Sequence, residues 1–440
     1  MISNHFQTYY YLQKFKKSAY WNLKKLDDFQ NKRLRHVVKY AYENVQFYHK
    51  ILREQNIRPD DIKSSEDLNK LPIIRKDEIR KNPLAFISKQ FDQHKLRRLS
   101  TSGSTGKPLF IYVSPVEDML RKARHLRANV SCGQKIRDRW VIITSPNHFG
   151  TSTKLQRALN FYVPIPVSVF SSIEEQISTI EALAPDVLDG YSSSLLLLAK
   201  GIKEKKAKKI TPKFIIGGAE FIDDSSKRFI ETVFNVPFFD HYACVEVDRV
   251  AWQCPEKIGY HIDSDSLILQ FIDDEGNEVE KGERGEIVCT SLFNYAMPLI
   301  RYAIGDVGMA SSEECSCGRT LPLMKVIEGR SDSVLLLSDG RLISPRAFSV
   351  AMSMFKYYEF LDQFRIIQKK TDFFELWLKL KANGVDRAII ERELVKFLKK
   401  ALCLDEQVTF LVKFLDEIKL DSTGKFSIVV SELTKKSFRV

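Results

Sequence analysis

Hydrophobic positions change their spacing along this chain, and each change predicts a different kind of structure. Residues 1 to about 95 are largely polar, and "LDDFQNKRLRHVVKYAYENVQFYHKILRE" sets its apolar side chains at helical spacing. A helical opening is therefore predicted, leading through "LPIIRKDEIRKNP" into a glycine-rich stretch from Leu99 to Pro108. From Trp140 onward, short apolar runs alternate with segments of helical period. "WVIIT" precedes a helix over Ser152 to Tyr162, "PVSVF" one over Ile173 to Leu183, "DVLDG" one over Ser192 to Lys203, and "FIIGG" one over Asp223 to Phe234, before "PFFDHY". Such alternation requires crossover connections, hence a mostly parallel sheet covered by helices.

From about Leu267 the runs are joined by tight turns, as in "SLILQFIDDEGNEV" and "GERGEIVCT", which predicts an antiparallel sheet or distorted barrel packed on the first region. After "GRSDSV" (Gly329 to Val334) the pattern reads strand, helix ("PRAFSVAMSMF"), strand, strand ("FFELWLKL"), helix (Val385 to Leu402) and strand. The predicted class is α/β. A large N-terminal region over residues 1–330 combines parallel sheets and helices with a distorted antiparallel barrel, and residues 331–440 form a small mobile α+β domain hinged at "GRSDS".

Composition narrows the picture without changing it. With 440 residues, 44% hydrophobic and 28% charged, the chain has the make-up of a soluble globular protein of two or three domains. It holds no apolar run of the roughly 18–20 residues that a membrane helix needs. The opening "MISNHFQTYYYLQKFKK" mixes charge with aromatics and has no small-residue cleavage site, so it does not read as a secretory signal. A cytoplasmic monomer or homodimer is expected. The net charge of +12 leaves room for an anionic partner. Its main clusters, "KEKKAKK" (Lys203 to Lys209) and "KFLKK" (Lys396 to Lys400), fall on predicted amphipathic helices and read as solvated faces. With no aromatic-interleaved basic stripe, zinc-finger spacing or RNA-binding signature noted, nucleic acid is not an expected partner.

Two groups of residues carry candidate chemistry. The first is the loop Thr101, Ser102, Gly103, Ser104, Thr105, Gly106 and Lys107, where glycines allow a polyphosphate close to the backbone and hydroxyls, amides and a lysine supply donors. It is not a Walker loop, because only two residues separate its glycines and Pro108 follows the lysine. Taken alone it also reads as an ordinary Ser/Gly loop. The second group is Cys254 and His261, separated by six residues, with Cys315 and Cys317, separated by one. Three thiolates and an imidazole suit a tetrahedral structural Zn²⁺, the alternative being free thiols beside a surface histidine. The other four of the seven cysteines, Cys132, Cys244, Cys289 and Cys403, read as buried thiols. No Cys/His/Asn or Ser/His/Asp set points to a nucleophilic hydrolase.

In order along the chain, "LSTSGSTGKP", "GGAEF", "HYACVEVDRVAWQCPEKIGYHIDSDS", "GERGEIVCTSLFNYAMPLIRYAIGD", "CSCGRTLPLMKVIEGRSDSV" and "LDSTGKF" resemble the adenylate-forming superfamily. The resemblance is closest to the phenylacetate-CoA ligase family and its relatives from capsule and exopolysaccharide gene clusters, and it spans Leu99 to Phe426.

It implies that the glycine loop holds the β- and γ-phosphates of ATP, that Gly217, Gly218 and Ala219 offer backbone to adenine, and that Tyr242 stacks on it. Glu246 would help to hold Mg²⁺, Asp306 would accept both ribose hydroxyls, Arg330 in the hinge segment would bind ATP, and Asp332 would be the hinge itself. Lys425 would reach the carboxylate and α-phosphate, stabilising charge as the acyl-phosphate bond forms; from "STGKF" alone it reads as a solvated turn lysine. Cys/His pairs occur in that family at the same places as the four zinc candidates. The sequence departs from the family at Ala243, where glycine commonly follows the tyrosine, and at Glu220, one place late in the adenine segment.

The implied reaction joins a carboxylic acid, expected to be aryl, to AMP with release of pyrophosphate, then passes the acyl group to a thiol, foremost coenzyme A. Transfer to an amine or a carrier protein, or a nucleotide-binding homologue without turnover, are the alternatives. "SPNHFGTS" (Ser145 to Ser152) is the expected acyl-pocket segment.

Overall fold

In a computed structural model, the described residues are 2–101, 109–146, 152, 154–205, 210–219, 222, 224–328, 335–343, 345–381, 386–418 and 428–433. They form two compact units. The first takes residues 1–100, 109–134 and 239–329; the second takes 101–108, 135–238 and 330–440.

The first unit is built on the amphipathic opening helices. In the helix Leu23–Asn44 the Asn22 side chain caps the Lys25 N–H, and Leu26, Leu34, Val37, Val38 and Ala41 form its buried stripe. Most of that stripe joins a core with Ile287, Leu292, Tyr302 and Met324. The strands run in the order Leu267–Ile272, Gly285–Ser291, Tyr302–Ala310, Leu323–Glu328, Tyr260–Ile262, Asp248–Gln253, Phe238–Cys244, each antiparallel to the next. The turn-rich half of the sequence is thus the antiparallel half of the structure.

The helix Pro115–Ser131 packs across these strands. Proline at its first position and reciprocal Ser114 and Glu117 bonds (2.6 and 3.3 Å) set its start. The second oxygen of Glu117 accepts the Tyr295 and Ala296 N–H groups at 2.5 and 2.8 Å, fixing the cap to the loop before the strand Tyr302–Ala310.

In the second unit the strands Phe214–Gly218, Val187–Tyr191, Trp140–Thr144 and Pro164–Ser168 pair in parallel in that order. They alternate with the helices Ile173–Leu183, Ser192–Lys205 and Asp224–Phe234, as the spacing predicts. The helix expected to reach Tyr162 ends instead at Ala158. Asn160 and Tyr162 both take left-handed backbone (φ 44° and 47°), which stops helical hydrogen bonding.

Residues beyond 334 give a four-stranded sheet in the order Thr409–Phe414, Phe373–Leu380, Leu361–Lys370, Val429–Ser431, accompanied by the helices Pro345–Met354 and Arg387–Ala401. Cys403 corrects the expectation of buried thiols: it is exposed, just past the helix Arg387–Ala401 and in left-handed conformation (φ 49°). Cys132 and Cys289 are buried as expected, and Cys244 is half-buried.

Candidate active site

Two irregularities in the antiparallel sheet place the acidic residues. Between Val288 paired with Ala303 and Glu286 paired with Val307, the strand Tyr302–Ala310 carries extra residues, and Gly305 at φ 87° turns the bulge. Asp306 sits on that bulge, and Tyr242 donates its phenol to Asp306 Oδ2 at 2.8 Å. Burial and the Asp306 charge push the Tyr242 pKa well above its ordinary value, so the phenol remains a donor.

Glu246 stands at the tip of the hairpin formed by Phe238–Cys244 and Asp248–Gln253. Its tip is held from below by an arginine row on the helix Pro115–Ser131. Arg121 donates to the Val245 carbonyl at 2.7 Å, and Arg124 to the Val247 carbonyl at 2.7 Å. Arg121 and Asn294 also reach the Glu246 carbonyl, each at 3.4 Å.

Glu246 is 2% exposed. Tyr302 donates its phenol to Oε1 at 2.7 Å, and the Lys76 ammonium lies 3.5 Å from the same oxygen. Burial raises the Glu246 pKa, but Lys76 and Tyr302 more than offset this, leaving the carboxyl below its ordinary value and ionised at neutral pH.

Lys76 is a residue that the sequence reading missed. Ile74 pairs beside Tyr302, with Ile74 N donating to Arg301 O and Ala303 N to Ile74 O at 2.9 Å each, and this bridge delivers Lys76 to the glutamate. Arg301 fixes the same place from the other side, its guanidinium donating to the carbonyls of Asn69, Leu71 and Gly276 at 3.1, 2.5 and 2.7 Å.

Gly217, Gly218 and Ala219 lie in the second unit, at the end of the strand Phe214–Gly218. A side chain at Gly217 would meet the Phe238 ring at 2.1 Å, and Ala219 has φ 67°, so this strand end presents bare, turned backbone. Thr101 ends the strand Arg97–Thr101. Ser102, Gly103, Ser104, Thr105, Gly106, Lys107, Arg330, Asp332 and Lys425 lie outside the described residues, as does most of the expected acyl-pocket segment. Ser145, which opens that segment, is buried beside Met354.

Cys254, His261, Cys315 and Cys317 converge, with their ligand atoms all within 4.8 Å of one another. Cys254 Sγ lies 3.5 Å from Cys315 Sγ, and Cys317 Sγ lies 3.4 Å from His261 Nε2. The Leu321 carbonyl, 3.3 Å from His261 Nδ1, accepts the proton of that nitrogen and leaves Nε2 free to face the thiols. Burial holds the His261 pKa down at about 4 and pushes the Cys254 thiol up to about 12. Burial also opposes the Cys317 thiolate, yet hydrogen bonds from Arg319 bring its pKa below the usual thiol value.

The same loop clasps the first helical corner. Thr320 N–H donates to Ala19 O at 3.0 Å, and the Thr320 hydroxyl donates to Trp21 O.

This architecture is that of the adenylate-forming ligases. It matches a crystal structure of 2-hydroxyisobutyryl-CoA ligase in the postadenylation state with a TM-score of 0.64 and 19% identity, covering 96% of this chain and 92% of the other. No protein-family model matches the sequence. Over 323 residues the chain is 30% identical to the phenylacetate-coenzyme A ligase of Aromatoleum evansii, covering 70% of this chain and 71% of that one. Over 446 residues it is 24% identical to Protein CapK of Staphylococcus aureus, covering 96% and 94%. The chain belongs to the phenylacetate-coenzyme A ligase family, whose ligases are AMP-forming acid–thiol ligases.

Proposed function

We propose that this enzyme joins an aryl carboxylic acid to AMP with release of pyrophosphate and then transfers the acyl group to coenzyme A. A carboxylate is a poor electrophile with a poor leaving group, and a mixed anhydride with AMP corrects both faults. The observation that carries the reading is the meeting of Tyr242 with Asp306 beside the buried, ionised Glu246. Asp306 offers a two-oxygen acceptor to a ribose diol, and Tyr242 pre-orients it.

Glu246 supplies the hard, ionised oxygen that Mg²⁺ prefers. When bound, that ion would neutralise phosphate charge, and Lys76, 3.5 Å from Glu246 Oε1, helps to keep the carboxylate ionised. The Cys/His cluster fits Zn²⁺: two bonds of about 2.3 Å at a tetrahedral angle set sulfurs about 3.8 Å apart, close to the 3.5 Å between Cys254 and Cys315. Three thiols and an imidazole would fill all four positions of a tetrahedral zinc and leave none open to substrate, so that zinc would be structural.

In a second reading, an amine replaces coenzyme A as acceptor. Both are tested by acid-dependent pyrophosphate exchange over aryl, fatty and amino acids, followed by product analysis with coenzyme A or an amine present. Exchange with an aryl acid and a coenzyme A thioester product is expected. Exchange confined to non-aryl acids, or an amide as the sole product, would refute the corresponding step.

A further inference from the structure

The three most exposed large apolar side chains among the described residues all lie within the first 23 positions: Tyr10, Tyr20 and Leu23, at 54, 55 and 56%. Residues 1–26 also carry five lysines and no acidic side chain. The sequence predicts a helical opening here with no aromatic-interleaved basic stripe; in the fold, exposed aromatic and basic side chains nevertheless stand side by side.

Tyr10, Lys14 and Lys17 are exposed along one row of the helix Ile2–Ser18, with the Lys14 ammonium 4.4 Å from the Tyr10 ring centre. At the corner before the helix Leu23–Asn44, Lys16, Lys17, Tyr20, Leu23, Lys24 and Lys25 are all exposed. The Lys25 ammonium lies 4.6 Å over Trp21, and the Arg319 guanidinium 5.6 Å over Tyr20. Because Thr320 holds the Ala19 and Trp21 carbonyls, the corner is preformed.

We propose that this corner is a docking surface for an anionic lipid bilayer, so that the enzyme works as a peripheral membrane protein. Two kinds of side chain are presented together, and the bilayer interface accepts both. Tyrosine, tryptophan and leucine enter the headgroup boundary, while lysines extend their stems and keep their charges over acidic lipid. An acidic protein or a polynucleotide would satisfy the lysines but leave Tyr20 and Leu23 in water. No described helix is long and apolar enough to cross a membrane, so the attachment is to the surface.

The test is co-sedimentation of the purified full chain with vesicles of phosphatidylcholine alone, or of equal parts phosphatidylcholine and phosphatidylglycerol. Binding to the mixed vesicles only, weakening as salt is added, is expected. Tyr20→Ser/Leu23→Ser should lower the partition coefficient about tenfold. Neutralising Lys16, Lys17, Lys24 and Lys25 to glutamine should lower it on the order of a hundredfold or more. Both variants should keep the wild-type unfolding midpoint and pyrophosphate exchange, and the single variant Leu23→Ser serves if the double one unfolds. Failure of the wild type to sediment with the mixed vesicles would overturn the proposal. So would undiminished sedimentation of a folded Tyr20→Ser/Leu23→Ser protein, because charge alone would then hold the complex, as an acidic protein or polynucleotide would.

Discussion

Lys76 and Glu246 show how much of a site rests on one pair of charges. The ammonium lies 3.5 Å from the carboxylate and holds its pKa down against burial. In Lys76→Met that support is gone, so the Glu246 pKa rises. If the ionised carboxylate is the working form, the acid limb of the pH–rate profile of pyrophosphate exchange then moves to higher pH, while the alkaline limb stays. An unmoved acid limb would show that Glu246 does not titrate in the reaction. Glu246 and Asp306 were legible in the sequence through the motifs around them. Lys76 was not, because "LPIIRKDEIRK" reads as an approach to a helix, and only the pairing of Ile74 beside Tyr302 makes its lysine a neighbour of the glutamate.

At the scale of elements, the helix Pro115–Ser131 does more than cover a sheet. Its Arg121 and Arg124 set the backbone on either side of Glu246, and one turn further Arg127 is fully buried, pairing with Asp263 and with Asp265 at 2.6 Å. Removing one partner from a buried ion pair costs about 3–5 kcal/mol. Arg127→Met should therefore lower the stability to chemical unfolding by that amount, and adding Asp263→Asn and Asp265→Asn should recover part of it. A loss below about 1 kcal/mol would mean that the cluster is hydrated.

Local signals made many elements readable in advance. Ser172 and Glu175 form a capping box that starts the helix Ile173–Leu183 where the sequence puts it. The arginine row was not readable, since a helical period tells which face is buried but not that arginines on it will find carbonyls from a distant hairpin. The Cys/His cluster was readable from residue type, and its chemistry is testable. Cys254 is a thiol at neutral pH and the Cys315 pKa is also raised by burial, so zinc uptake by metal-free protein should release about two to three protons. Titration in weak buffer with an indicator dye would measure this, and uptake without proton release would rule out thiolate ligation.

For the whole molecule, the proposed reaction needs a cation delivered late to the acid and removed afterwards. We propose Lys425 in "LDSTGKF" for this task, on the resemblance alone, since it lies outside the described residues. Lys425→Ala should remove most acid-dependent pyrophosphate exchange while ATP binding, measured by calorimetry, stays nearly intact. Unchanged exchange would remove the lysine from the mechanism. The alternation of strands and helices made the two kinds of sheet legible, because crossover spacing and tight turns are local properties of the chain. The two-unit division was less so, since each unit collects segments remote in sequence, residues 1–100 joining 239–329 in one of them.

The clasp of Thr320 on Ala19 and Trp21 ties the fate of the leading helix to three thiols nearby. Oxidation of Cys315 and Cys317 would loosen that one clasp, while Leu12 and Phe15 stay buried and Arg127 still donates to the Phe15 carbonyl. Damage of that kind would open the corner near residue 20 to protease and leave the helix before it in place.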